Sequence, residues 1–278
     1  MGDSVNASGN LLRAWDFDPS IVIGCIALLA AYAFAHRGDY SRAPWFVAGV
    51  AAMFLALVSP LDALSDQYLF SAHMLQHLIL ILIVPPLLIL GLSEKFARSI
   101  LEVPVLARIE RILATPAIAW TLAMAVLWIW HWPALYDATL ADENVHIFEH
   151  LCFLVTATIF WWPIFAPIAR AQMEPMIAII YLATAMVANS VLGILLTFAQ
   201  PGLYSAYLHP ADSLGILTML RDGWGLTPAV DQQLGGLLMW VPGGMVFLGA
   251  IMFVMARWYS EPEVRSRTAG VGAIGRMN

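Results

Sequence analysis

The stretch Asp66–Gly91 reads DQYLFSAHMLQHLILILIVPPLLILG. It is apolar, and it exceeds the roughly 20 helical residues that cross a bilayer. Within it lie His73 and His77, four residues apart. Four residues of helix rise about 6 Å and turn about 400°, so both imidazoles leave one face, one turn apart. A polar group inside a lipid-spanning segment is costly and marks a functional site by default. Its meaning depends on what else the chain brings to that depth.

The whole chain shares the character of this stretch. Of its 278 residues 61% are hydrophobic and 12% charged, against about 45–50% and 25% in soluble domains. This composition predicts an all-α polytopic membrane protein and excludes a nucleic-acid binder, since no basic patch is present. Cys25 and Cys152 are far apart and read as small apolar packing residues. The N-terminal residues 1–19 hold a single cation, Arg13, and read as a polar outer tail without the pattern of a cleavable signal peptide.

Seven apolar runs recur, near 20–36, 44–60, 69–91, 116–132, 145–168, 175–199 and 234–258. Lipid leaves helices as the open-chain solution to backbone hydrogen bonding, so residues 20–258 are expected to form seven transmembrane helices. With the N-terminus outside, eleven of the thirteen Lys and Arg residues fall inside and only Arg13 and Arg221 outside. The positive-inside rule therefore predicts an N-out, C-in topology. Residues 94–113 alternate apolar and basic groups at helical spacing and are expected to form one amphipathic surface helix. Residues 200–233 are a long outer connection suited to a lid, and 259–278 a polar, disordered cytoplasmic tail. Kinks are expected at Pro85-Pro86, Pro163 and Pro242-Gly243-Gly244.

This topology sorts the seven histidines. His73 and His77 lie in the outer half of the third span, His131 at the outer end of the fourth, and His146 and His150 at the start of the fifth. Five imidazoles on three helices thus converge near the outer face, with His36 at the inner end of the first span and His209 in the outer connection. The motifs HMLQH and HIFEH share a form, each presenting two rings on one helix face. A lone histidine in a bundle is an ordinary interhelical hydrogen-bonding group. Five buried together need five partners, and a metal ion supplies them in common. Imidazole ligation suits Cu, Zn, Fe or Ni rather than Mg or Ca. Met74 and Met239 lie at a suitable depth to add thioethers, although both also read as core residues. Glu149, inside HIFEH, is placed to orient a ligand histidine. Asp62, Asp66 and Asp231 sit on the same side and are candidates to orient a ligand histidine or to add a ligand, and read equally as caps or loop charges.

Four blocks occur in order between about Pro60 and Trp258: SPLDALSDQYLFSAHMLQHLILILIVPPLLILG, LWIWHWPALYD, HIFEHLCFLVTATIFWWPI and DQQLGGLLMWVPGG. Together they resemble the signature of the multi-span CtaG-type (caa3-type) cytochrome c oxidase assembly factors. They do not resemble the single-span copper chaperone that shares the CtaG name. The resemblance implies seven membrane helices in the bacterial inner membrane, with a metal site near the periplasmic face. It implies a non-enzymatic role in maturing a haem–copper oxidase, with copper, Cu(I) or Cu(II), as the metal handled. Oxidase subunit I or II and periplasmic copper chaperones are the partners it implies. The family's histidine positions fall on His73, His77, His131, His146 and His150, its DQ on Asp231 and Gln232, and its MW on Met239 and Trp240. Three rivals remain: an intramembrane zinc hydrolase using Glu149 or Asp66 as base, a bis-histidine haem electron carrier, and a metal-free scaffold for oxidase subunits.

Overall fold

In a computed structural model, residues 2–36 and 38–274 are described, with side chains from Ala7 to Ser260 apart from residue 37. Arg37 and Arg276, and the side chains of Arg265 and Arg267, lie outside the described residues. The described residues are helical with loops and contain no β-strand. In chain order the helices are α1 (Gly2–Leu12), α2 (Pro19–Ala35), α3 (Ala43–Val58), α4 (Pro60–Gln67), α5 (Phe70–Leu78) and α6 (Val84–Gly91). They continue with α7 (Glu94–Leu101), α8 (Pro104–Leu113), α9 (Pro116–Trp130), α10 (Pro133–Ala141), α11 (Glu143–Phe165), α12 (Pro175–Phe198) and α13 (Pro228–Ile274).

Each apolar run of the sequence has become a helix, but the helices differ in reach. Phe70–Gly91, Glu143–Phe165, Pro175–Phe198 and Pro228–Ser260 are each long and apolar enough to cross a membrane. Two more candidates are bent pairs, α3 with α4 at 49° and α8 with α9 at 69°. Both bends fall at Pro60 and Pro116, where a proline opens the next helix and the preceding residue is driven out of helical backbone. Helix α2 has 17 residues, a rise of about 26 Å against a hydrocarbon core of about 30 Å.

The Pro85-Pro86 pair does not break the third span. Pro85 has no N–H for the Ile81 carbonyl, and the backbone slips into a π-helical turn over Ile79–Ile83, where Val84 N–H bonds Ile79 O. The freed Ile81 carbonyl accepts the Trp161 indole N–H from α11 at 2.9 Å. The missing backbone bond is thereby replaced by a tie between two helices. Likewise α11 and α13 run through Pro163 and Pro242 as continuous helices.

Three other expectations change. Val103-Pro104 divides residues 94–113 into two amphipathic helices, α7 and α8, because the proline cannot extend α7 and starts α8 instead. Residues 261–274, expected to be a disordered tail, continue α13 as helix. The N-terminal residues are not merely a tail: α1 seats Ala7 against Tyr68, Leu69, Ile216 and Leu220, and Asn10 Nδ2 donates to Leu214 O at 2.9 Å. Asp16 N–H donates to Val58 O at 3.0 Å, fixing the following segment to the end of α3.

The frame around the third span is set by close helix approach. Helices α12 and α13 pair along their length, with Asn189 Nδ2 donating to Met239 O at 2.7 Å. Gly236 of α13 permits this contact with α12, and Gly235 permits the approach of α13 to α5. A Cβ at Gly235 would lie 2.3 Å from the Phe70 ring, and one at Gly236 would lie 2.5 Å from Thr197 N. Backbone cannot yield as a side-chain tip can. Gly236→Ala is therefore expected to cost about 1–3 kcal/mol by overpacking, read as a lower thermal midpoint in detergent. Gly249→Ala, where a Cβ meets nothing within 4 Å, is the neutral control.

Candidate metal centre

Helix α5 brings His73 and His77 to the bundle interior because its N-terminus is held in place from α13. The Asp231 carboxylate accepts Phe70 N–H at 2.8 Å, Ser71 N–H at 3.0 Å and the Ser71 hydroxyl at 2.5 Å. It takes up free donors of the first turn and places negative charge at the positive end of the helix dipole. Asp231 is thus a clamp on the helix that carries the histidines and lies outside both groups of gathered donor atoms. Its neighbour Gln232 accepts Gly202 N–H at 3.0 Å and donates to Ala199 O at 3.1 Å, fastening the start of the long connection.

From α11, Glu149 enters between the rings. Its Oε2 lies 3.8 Å from both His73 Nε2 and His77 Nε2. One donor atom each from His73, His77, Glu149 and His150 lies within 4.8 Å of the other three. A second group overlaps the first: Asp66, His73 and His146 each offer an atom within the same limit. His73 belongs to both. His131 stands beside them, its ring centroid 6.1 Å from that of His77.

The five histidines differ from His36, which is an ordinary structural residue. His36 Nε2 accepts Ser93 N–H at 3.1 Å, and its ring stacks on Tyr32. In the cluster, by contrast, Nε2 of His73, His77, His131, His146 and His150 is buried without a hydrogen-bond partner, as are both Glu149 oxygens. Such atoms cost about 1–3 kcal/mol each when left unmatched. The tautomers also point inward. His131 Nδ1 lies 2.7 Å from Leu127 O; a carbonyl only accepts, so Nδ1 carries the proton and Nε2 bears a lone pair. Tyr207 donates to Ser65 O at 2.8 Å, and its oxygen is 3.3 Å from His73 Nδ1. His73 then donates from Nδ1, which again leaves Nε2 bare. Neutral imidazoles with free Nε2 lone pairs and one carboxylate form a donor set that fits a small transition-metal ion.

The two five-residue motifs, alike in sequence, diverge here. Glu149 of HIFEH joins the rings. Gln76 of HMLQH turns away, its Nε2 donating to Ala56 O at 2.9 Å and Asp62 Oδ1 at 2.7 Å. Asp62 therefore secures the helix through Gln76 and is not one of the gathered donors. Met74 and Met239 are buried and line a cavity of about 30 Å³ on the His77 and His131 side.

Residues that the sequence did not single out complete the surroundings. Tyr136, Tyr204 and Tyr207 are buried against Phe70 and His73. Tyr204 donates to His131 O at 2.9 Å. Arg221 Nη2 donates to Tyr207 O at 2.8 Å, tying down the segment that carries the tyrosines. The long connection thus closes over the rings. His209, within it, is exposed and takes no part. A paired-tyrosine signal, YSAY at 204–207, stood in the sequence, but nothing local tied it to the histidines.

Asp231→Ala leaves the Phe70 and Ser71 amides unmatched and is expected to destabilise the protein by about 1.5–3 kcal/mol, read by denaturant titration in detergent. Tyr207→Phe removes the group that orients His73 and is expected to weaken metal binding by about 10- to 100-fold, read by chelator competition.

No solved structure matches the chain. Two uncharacterized proteins, of Mycobacterium bovis and Mycobacterium tuberculosis, are each 28% identical over 177 residues, covering 55% of this chain. The chain spans 27% of the length of these relatives. A family model described as cytochrome c oxidase caa3 assembly factor (Caa3_CtaG) matches residues 27–261. That match takes in every histidine of the cluster and the Asp231 clamp, and the chain belongs to the caa3 cytochrome c oxidase assembly factor family.

Proposed function

We propose that the chain binds copper in the histidine–carboxylate cluster and supplies it to cytochrome c oxidase during assembly. The carrying observation is the gathering of His73, His77, Glu149 and His150 donor atoms within 4.8 Å of one another. Their Nε2 and carboxylate oxygens have no partner in the protein. Membership of an oxidase assembly factor family supports the oxidase as the recipient. The copper assignment draws on imidazole chemistry, with Met74 and Met239 nearby to favour the reduced ion.

In this reading the chain crosses a bacterial inner membrane seven times, N-out and C-in. The distribution of Lys and Arg supports the orientation, and α2 completes the count with slight thinning of the bilayer or snorkelling of its flanks. The histidine end then faces outward, where an oxidase copper centre facing the periplasm is within reach. Copper is cargo here, so the protein's tasks are to keep Nε2 lone pairs free, exclude competing water and release the ion to stronger ligands.

An intramembrane zinc hydrolase is the second reading, and the presence of Glu149 among the donors is what favours it. Zinc catalysis needs an open coordination position and a base beside the bound water. Metal analysis by mass spectrometry after Cu(I) loading under reducing conditions separates the two. The wild type is expected to retain copper, and His77→Ala and His150→Ala to lose most of it. Zinc retained in place of copper, with hydrolysis of an amide or ester substrate abolished by Glu149→Gln, would support the hydrolase instead. A wild type without copper would overturn the copper reading.

A further inference from the structure

A cavity of about 340 Å³ opens beside the histidine cluster, between the segment before α2, the α4 turn and the start of α11. Five carboxylates line it: Asp16, Asp18, Asp62, Asp66 and Glu143. At its inner end are His146 and His150. His146 is nine-tenths buried, and Nε2 of both rings lacks a partner. Asp66 joins the cavity to the cluster, with Oδ1 at 3.7 Å from His146 Nδ1. The Asp66, His73 and His146 donors then overlap the His73, His77, Glu149 and His150 donors through His73.

Among the described residues, no Lys or Arg lines this cavity. Of the two cations expected at this end of the bundle, Arg221 is turned onto the Tyr207 and Leu226 carbonyls. Asp18 is held below the usual carboxylate range by the Ser20 hydroxyl and amide, so it stays ionised. The backbone bond from Asp16 to Val58 O fixes the acidic segment at the opening. A single-signed cleft with low-dielectric walls concentrates counter-ions and raises their on-rate.

We propose that this acidic vestibule is the port through which a copper cation enters the histidine cluster, handed from the Asp66–His73–His146 group to the deeper four-donor group through their shared His73. The proposal rests on the reading of the cluster as a copper site. It assigns to the N-terminal segment, through Asp16 and Asp18, a part in metal uptake that no ligand role requires.

The test uses the full chain in detergent and Cu(I) supplied as its cationic acetonitrile complex under reducing conditions. Retained copper is measured by mass spectrometry after rapid quenching with a chelator. The variant Asp16→Asn/Asp18→Asn/Glu143→Gln keeps side-chain size and helix-capping oxygens and removes three carboxylate charges that belong to neither donor group. It is expected to load about tenfold more slowly than the wild type at low ionic strength. The two rates should converge at about 0.5 M salt, where screening acts over a few ångströms, and both proteins should reach the same final copper content. Equal rates at low salt, or slowing that salt does not relieve, would overturn the port while leaving the copper site standing. A wild type that retains no copper would overturn the site and the port together.

Discussion

A buried imidazole lone pair that nothing in the protein satisfies is the constraint around which this bundle is built. Nε2 of five histidines and both oxygens of Glu149 are buried in this state. At about 1–3 kcal/mol apiece the total rivals the whole net stability of an ordinary domain, about 5–15 kcal/mol. A fold bears that cost when the surrounding structure over-determines the positions. Asp231 holds α5 from α13, Gln76 holds it from α3 and α4, and Tyr207 holds the His73 ring. Each tie leaves the Nε2 side open.

The same ties explain how prolines and glycines serve the site. Pro85 would ordinarily weaken the third span below the histidines. The π-turn and the Trp161 indole absorb the lost bond and couple α5–α6 to α11, the two elements that supply four of the five rings. Gly235 and Gly236 let α13 approach Phe70 and Thr197 closely enough for Asp231 to reach the first turn of α5. Local irregularity is thereby converted into the rigid registry that a multi-helix donor set needs.

Polarity is distributed asymmetrically about this core. The cluster end carries carboxylates around its opening and tyrosines within its cover, while the opposite end carries Arg42, Arg98 and the α7–α8 surface. In the proposed reading the acidic end attracts a cation. The other end, with basic residues flanking the spans, suits an anionic membrane surface.

Much of this was legible in the chain. Hydropathy alone marked every long helix, because lipid admits few alternatives to helical backbone. The i,i+4 spacing put His73 with His77 and His146 with His150, because the helical repeat fixes which side chains share a face. What spacing could not give was the direction each face takes toward other helices. Gln76 and Glu149 hold equivalent places in two similar motifs, yet one braces α3 and α4 and the other enters the donor group. Asp231, more than 150 residues from Phe70, reads from sequence as a cap or a ligand; the approach of α13 makes it the clamp on α5. The tyrosine cover and the Asp16–Asp18 vestibule likewise join segments distant in sequence. The sequence determined which residues could meet within a helix, since that depends on local geometry. Tertiary packing alone decided which of them met across helices, since those contacts depend on interhelical distance and rotation that no single segment encodes.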